Sequence, residues 1–324
     1  MTSRIASAFS QVEASLAIEG QAPSGPALRR SNIAMELNRE HFIRLFCSVI
    51  FLLAFAGCEG PRLERAGSLA SYDHLVPANG LLTQSQLHVN KANVLAAKTV
   101  RITPTTFSAD AMKKGLSEQQ RKLVANAADR ALCIGLSERL SVVPVSEPAD
   151  LTIHSVITHI DLTDENIAGA SKVAQLAPAA FGAMAPVPRI PVGLGGLSIE
   201  AEALNQNGAQ EAAMLWARNA DAITSSPKVS KAGDAYDLAK EYGADFSTLI
   251  ATGSSPFNTL PSLPSMSAIQ ASFGGAPKYA ACDAFGRDPG LARIFGNGIG
   301  LPPEWTDDGA GATAQVSNQV TEPR

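Results

Sequence analysis

Two alternating segments on either side of Asn207-Gly208 constrain the fold more than any other feature of the chain. Residues 196–204 read GLSIEAEAL and residues 211–223 read EAAMLWARNADAI. An Asn-Gly pair between two such segments favours a tight β-hairpin, because both residues tolerate a positive φ. The sequence therefore predicts two antiparallel strands joined at Asn207-Gly208.

Two amphipathic helices are predicted on either side of this hairpin. The first begins with a capping box, in which Ser117 and Gln120 each bond a backbone amide that would otherwise lack an acceptor. Its apolar residues then recur every three to four positions, at Leu123, Val124, Ala127, Ala131 and Ile134. The second helix covers residues 230–252 and is followed by Gly253, a residue that favours the left-handed conformation at helix ends.

Two further segments have the β-branched composition of strands. In residues 99–107, Pro104 cannot donate a ladder hydrogen bond and so indicates an edge or a bulge. Residues 149–162 form a long second strand. The elements follow in the order β-α-β-β-β-α, and both helices need a surface to cover. We therefore expect an α+β fold over residues 95–253, a two-layer sandwich with two amphipathic helices on one face of a mixed sheet.

The N-terminal region contains a short apolar run, residues 45–57, which follows the basic residues Arg39 and Arg44. A helix needs about 20 apolar residues to cross a bilayer, so this run is too short. A basic start, a short apolar middle and a small-residue end are typical of a secretory signal. A buried helix of a globular core is the alternative.

The end of this run, Phe55-Ala56-Gly57-Cys58, resembles the lipobox of bacterial lipoproteins, with Phe55 where leucine is usual. The resemblance implies cleavage before Cys58 and lipidation of that residue. Translation from Met35 would give a signal of ordinary length. The expected organisation begins with an overlong start or disordered leader over residues 1–34 and a signal peptide over residues 35–57. A lipidated tether with irregular structure follows over residues 58–94, then the α+β domain over residues 95–253 and a Pro/Gly/Ser-rich tail over residues 254–324.

Charge and cysteine content limit the classes of function. The net charge is −4 and no basic stripe is present, which argues against a nucleic-acid-binding protein. Of the four cysteines, Cys133 and Cys282 remain once the signal is removed and Cys58 is lipidated. We predict that they form a disulfide in an oxidising compartment, with two buried free thiols as the alternative. Clustered Cys and His residues are lacking, so neither a metal site nor a cofactor is expected.

The candidate catalytic residues are weak. His154 and His159 are five apart on a strand, so without a bulge their side chains lie on opposite faces. Glu200 and Glu202 share a face, which we expect to be the solvent side of an amphipathic strand. Neither a Gly-x-Ser-x-Gly elbow nor a recognisable triad order is found. We expect a protein that is not an enzyme.

Residues 167–196 form a long segment in which only Lys172 and Arg189 are charged. Structureless loops of this length are uncommon in compact domains and are often functional. We predict an interaction loop here, anchored by Phe181, Met184 and Ile190. The alternative is a flexible excursion that folds over the sheet.

Four stretches, the lipobox, GLSERL, GGLSIEAEA and KAGDAYDLAKEYGADFSTLI, together resemble the bacterial lipoprotein family named domain of unknown function 3313, over residues 58–253. The resemblance implies a membrane-anchored, periplasm-facing domain, and it transfers no catalytic residue.

We expect a cell-envelope lipoprotein, held in the bilayer through Cys58, that acts as an interaction or accessory protein. Its partner would be an envelope protein or a second copy of the chain. The outer membrane is favoured, because Glu59 is not the Asp that marks inner-membrane retention in some bacteria. A periplasmic small-ligand-binding module is the main alternative, and a hydrolase is the other.

Overall fold

One mixed sheet organises the part of the chain that the computed structural model describes, residues 60–180, 187–258 and 263–310. Its eight strands within those ranges run in the order β1-β2-β8-β7-β6-β3-β5, and β4 pairs with β6 off this path. Strands β2, β8, β7 and β6 are antiparallel neighbours, whereas β3 is parallel to both β6 and β5. The strands are β1 (Val76–Pro77), β2 (Thr83–Val89), β3 (Thr99–Ile102), β4 (Thr106–Phe107), β5 (Ser141–Val142), β6 (Leu151–Asp161), β7 (Gly196–Asn205) and β8 (Gln210–Asn219).

Two long helices, α3 and α5, pack on each other and cover the inner face of this sheet. The helices are α1 (Lys91–Ala96), α2 (Ala109–Met112), α3 (Glu118–Leu136), α4 (Glu165–Ala180), α5 (Gly233–Thr252), α6 (Met266–Ser272), α7 (Leu291–Ile299) and α8 (Pro303–Thr306). The capping box at Ser117 and Gln120 is present, and Gly253 ends α5 with a φ of 62°. The α+β sandwich predicted from the sequence is therefore confirmed.

The first predicted strand is interrupted at Pro104, as its missing amide hydrogen requires. Strand β3 ends at Ile102 and β4 begins at Thr106, and both pair with β6. In the gap, the amide and hydroxyl of Thr105 donate to the buried carboxylate of Asp129 on α3, at 3.0 and 2.5 Å. This contact fixes the break in the strand to the helix layer.

The irregular structure expected over residues 58–94 is corrected. Strand β2 pairs along its whole length with β8, and α1 follows it. The inward positions of β2 include Thr83 and Ser85, which are buried although they are polar. Because the strand shows no apolar alternation, its sequence does not reveal its pairing.

The inner core is centred on Tyr242 of α5. Its ring meets Trp216 of β8 edge-on, with centroids 6.0 Å apart, and its hydroxyl lies 2.6 Å from the hydroxyl of Ser155 on β6. The indole N–H of Trp216 donates to Asp245 at 2.8 Å. One helix is thereby fixed to two strands by both packing and hydrogen bonds.

The C-terminal segment packs on the helix layer. Cys282 lies in a 3-10 turn, Ala280–Phe285, and is bonded to Cys133 of α3, with Cα atoms 5.8 Å apart. The predicted disulfide is confirmed. The ammonium of Lys278 also donates to the carbonyl of Ser137, at 2.7 Å. Helices α6 to α8 are therefore held against α3 and α5.

Candidate functional site

The outer face of the sheet is covered by the N-terminal residues 62–75, here called the strap. Glu200 of β7 holds its middle: the carboxylate accepts from the amides of Ala66 and Ser68, at 2.9 and 3.1 Å, and from the hydroxyls of Ser68 and Tyr72, at 2.5 and 2.8 Å. The Tyr72 hydroxyl has a raised pKa, because it is partly buried and donates to Glu200.

Glu202, two residues further along β7, holds the next part of the strap. It accepts from the amide of Ala70 and from the side chain of Gln210, both at 2.7 Å. Leu69 packs on Leu215 beside these bonds. The expectation that Glu200 and Glu202 face solvent is wrong, since they are 0% and 5% exposed. An alternating strand shows which residues share a face but not what covers that face.

The two histidines also differ from expectation. A bulge between Ile157 and His159 shifts the register of β6, so that His154 pairs with Glu202 and His159 pairs with Ser198. Residues on alternate positions of β7 share a face, so the histidines lie on the same side of the sheet and not on opposite sides. They have different neighbours: His154 contacts Thr103 at 3.2 Å, and His159 lies 2.8 Å from Glu64.

The described parts of residues 167–196, which are 167–180 and 187–196, are not a structureless loop. Residues 165–180 form α4, and the returning segment is fixed by Arg189, whose guanidinium forms two bonds with Asp234 in the first turn of α5, at 2.5 and 2.9 Å. Asp234 also accepts from the amide of Gly195 at 2.8 Å. This fully buried ion pair and the Gly195 contact attach the returning segment, residues 187–196, to the start of α5, although Val192 between them is 57% exposed.

The other charge of this segment also points inward. Lys172 of α4 is 7% exposed, and its ammonium donates to the carbonyl of Asn297 on α7 at 2.8 Å. Burial lowers its pKa. Because Lys172 and Arg189 are the only charged residues of the segment, its exposed surface has no charge of its own.

An apolar surface surrounds this junction of α4 and α7. The contact between Lys172 and Asn297 joins the two helices, and Gly169 of α4 lies against Val229. Five large apolar side chains at this junction are 41 to 72% exposed; they are Val173, Leu176, Val229, Phe295 and Ile299. We call them the α4–α7 patch. Large exposed apolar surface is a feature of interaction sites.

Several predicted site residues stay untested. Cys58, Phe181 and Met184 lie outside the described residues. Ile190 is half-buried, and its amide donates to Ser171 of α4 at 3.2 Å, beside the patch. The assignment of Phe181, Met184 and Ile190 as anchors of an interaction loop remains a prediction, as does lipidation of Cys58.

A pocket of about 420 Å³ opens on the opposite side of the helix layer from the sheet. Its floor is a stripe of small residues where α3 and α5 touch, and α6 and the segment before α7 form its rim. The lining residues used below are Arg130 and Ala131 of α3, Lys240 and Ala244 of α5, and Asp288 and Arg293 of the C-terminal segment.

Lys240 is the unusual group in this pocket. Its ammonium is enclosed and has no hydrogen-bond acceptor within the described ranges, although about a fifth of the side chain, 21%, is exposed. It lies 3.8 Å from Asp288 and 4.2 Å from the ring centre of Tyr236. Burial lowers the pKa of Lys240 to about 7.

The roles of Asp234, Arg189 and Lys240 were not predicted from the sequence. Each is an ordinary charged residue in its own segment, and each acquires its role through a neighbour 45 or more positions away. In the described part of the chain, three or more His, Cys, Asp or Glu residues are nowhere grouped so that they could hold a metal ion. Nor is any helix there both long enough and apolar enough to cross a membrane.

A family model described as Protein of unknown function (DUF3313) matches residues 64–246. The chain belongs to the DUF3313 family. The match begins within the strap and ends in α5, so the α+β core of the DUF3313 domain is covered and the C-terminal segment is not. A search of curated proteins finds no match.

Among solved structures, this DUF3313 chain is similar to the PelC dodecamer from Paraburkholderia phytofirmans, with 9% identity, a TM-score of 0.32, and coverage of 53% of this chain and 98% of that one. It is also similar to a DUF4136 family protein from Bacteroides thetaiotaomicron, with 10% identity, a TM-score of 0.26, and coverage of 56% and 100%.

Proposed function

We propose that this DUF3313 protein is a cell-envelope lipoprotein, anchored in a membrane through Cys58 and facing the periplasm, that acts as a non-enzymatic interaction or accessory protein. The α4–α7 patch is the observation that carries this proposal. It is apolar and exposed. The two charged residues of segment 167–196, Lys172 and Arg189, both form contacts inside the protein.

The strap supports the anchored part of the proposal. The hydroxyl of Ser198, near the start of β7, donates to the carbonyl of Arg62, so the strap is fixed only four residues after Cys58. Four extended residues span at most about 15 Å. A lipid on Cys58 would therefore hold the sheet close to the bilayer surface.

The same geometry relates the anchor to the patch. The start of β7 and the end of β6 lie at the same end of the sheet, and α4 begins four residues after β6 ends. The strap is fixed at this end of the sheet, so α4 begins at the same end as the chain that leads to the lipid. We infer that the partner is another protein at the same membrane surface, or a second copy of this chain.

The anchor is tested with Cys58→Ser in the full chain, expressed in a bacterium that processes lipoproteins and fed an alkyne-labelled fatty acid. Lipid label, signal cleavage and membrane pelleting should all be lost. Cys47→Ser, within the predicted signal, is the matched control and should keep all three. A Cys58→Ser protein that is still cleaved, labelled and membrane-bound would refute the anchor.

The interaction is tested separately by placing a photocrosslinking phenylalanine at Val173 or Phe295 and irradiating intact cells. Leu81, which is 99% exposed and far from the patch in sequence, is the control position. Adducts are expected from the patch positions, and Ile299→Ser should weaken those from Val173. An adduct of twice the chain mass indicates self-association and any other protein mass indicates a partner. Equal adducts from Leu81, or none from the patch, would refute the proposal.

A further inference from the structure

The pocket between α3, α5 and the C-terminal segment has a charged end and an uncharged middle. Arg130, Lys240, Asp288 and Arg293 meet at one end. Small side chains continue from there along both helices, and Ala244 among them is exposed. Ligand sites in proteins share this form, a mostly apolar cleft of about 300–1,000 Å³ with a few polar groups at fixed places.

The charges at this end do not balance. Arg130 is paired with the buried carboxylate of Asp307, and Lys228 is paired with Asp237. Lys240 and Arg293 share the carboxylate of Asp288, at 3.8 and 3.1 Å. The other carboxylate that lines the pocket, Glu138, accepts from the amide and hydroxyl of Ser265.

When Lys240 is protonated, these pairings leave one positive charge without a counter-charge. The cation that lacks a hydrogen-bond acceptor among the described residues is Lys240. An enclosed ammonium without an acceptor is costly, because burial removes its hydration and nothing replaces it.

We propose that this pocket binds a small organic anion, a carboxylate or phosphate monoester that carries a short apolar chain, with the anionic group at Lys240 and the chain along Ala131 and Ala244. One added negative charge completes the pairing of Lys240 and Arg293. It also supplies the acceptor that the Lys240 ammonium lacks. The inference does not depend on the membrane anchor, since none of these residues lies in the strap.

Binding should be coupled to protonation of Lys240. The groups that face this ammonium are Asp237 on its own helix, Asp288 and Arg293 on the C-terminal segment, Lys228, and the ring of Tyr236. An anion at the ammonium favours its charged form, so the pKa of Lys240 rises on binding. Near pH 8 each bound anion should therefore bring a proton with it.

The test is isothermal titration of the full chain in detergent with hexanoate, hexyl phosphate and hexanol. Hexanoate or hexyl phosphate should bind at least about tenfold more tightly than hexanol, since a bond to a charged group contributes about 1.5–3 kcal/mol. Comparing the two anions distinguishes a carboxylate from a phosphate site. At pH 8 the binding heat should change with the ionisation enthalpy of the buffer, which reports proton uptake.

Two variants complete the test. Lys240→Met should weaken the binding of the anion by about tenfold or more and remove the dependence of the binding heat on the buffer. Lys122→Met, on the exposed side of α3, should change neither. Ala244→Leu fills the pocket without touching a charge, and should also abolish binding. Partition of a given ligand into detergent micelles is the same for every variant, so it cancels when variants are compared with the same ligand. If hexanol binds as tightly as the anions, or Lys240→Met binds them like the unmodified chain, the proposal is wrong.

Discussion

Asp234, Glu200 and Asp129 are buried carboxylates that are stabilised in different ways. Asp234 is neutralised by Arg189, and Glu200 receives only hydrogen bonds from the strap. Asp129 accepts hydrogen bonds from Thr105, but its burial outweighs them and raises its pKa to about 7. The three side chains should therefore respond differently to substitution.

Replacing Arg189 should be among the most damaging single changes in the domain. Arg189→Met leaves the Asp234 carboxylate buried without its counter-charge, which typically costs about 3–5 kcal/mol. Chemical denaturation measures the loss. Arg287→Met, in an exposed pair with Asp283, is the control and should cost less than about 1 kcal/mol. The double variant Arg189→Met/Asp234→Asn should recover part of the loss; no recovery would show that the pairing is not the cause.

Asp129 predicts a pH dependence of stability. Its folded pKa, about 7, lies above the ordinary value, so the native state binds more protons between about pH 4 and pH 7. The stability contribution is complete below that window and is lost as pH rises through it. Asp129→Asn should reduce the fall in unfolding free energy between pH 5 and pH 8, as measured by urea titration. Asp308→Asn, an exposed control, should leave it unchanged, and an Asp129→Asn protein with the original slope would contradict the assignment.

At the scale of elements, α3 and α5 approach each other closely because glycines lie at their contact. A Cβ at Gly243 would lie 2.5 Å from the Cβ of Ala131 and 2.9 Å from the carbonyl oxygen of Ala128. A Cβ at Gly135 would collide with Ser247 in the same way. The small-residue floor of the pocket is a consequence of this close approach.

Gly243→Ala should therefore destabilise the domain although alanine favours helices. Forcing a methyl group into a packed contact costs about 1–3 kcal/mol, against a gain of about 0.5–1 kcal/mol in helix propensity. The melting temperature measures the balance. Gly298→Ala, in helix α7 with open space around it, should be neutral or stabilising. A Gly243→Ala protein as stable as Gly298→Ala would mean that the helices can separate without cost.

The sequence predicted the elements whose signals are local. The capping box, the Asn207-Gly208 hairpin and the apolar stripes of α3 and α5 depend on residues within a few positions of one another, and they are confirmed. Strand β2 was not predicted because the polar residues Thr83 and Ser85 occupy its inward positions.

The site was harder to predict because its contacts are distant in sequence. The strap reaches Glu200 across more than 120 residues, and Lys240 meets Asp288 because the disulfide and several polar contacts hold the C-terminal segment to the helix layer. A bulge of one residue in β6 reversed the expected arrangement of the histidines. Neither a covering segment nor a bulge leaves a periodic signal in the chain.

At the scale of the whole molecule, the strap connects the N-terminal region to the sheet. Glu200→Gln would replace one acceptor oxygen by a donor that faces the amide of either Ala66 or Ser68, and unmatched buried polar groups cost about 1–3 kcal/mol each. The strap should then become sensitive to limited proteolysis within residues 62–75 while the hairpin stays protected. Glu147→Gln, on the exposed surface, is the control. Equal cleavage rates in the two variants would show that Glu200 does not retain the strap.

The strap also determines how far from the bilayer this domain could travel. A lipoprotein with a long, loose linker samples a tall volume and can meet partners at many heights. An acyl group on Cys58 would leave only about 15 Å of free chain before Arg62, so the domain would be restricted to a thin layer beside the membrane. Confinement of this kind raises the effective concentration towards other proteins in the same layer. A weak apolar contact through the α4–α7 patch could then be sufficient, and proteins on the far side of the periplasm would be out of reach.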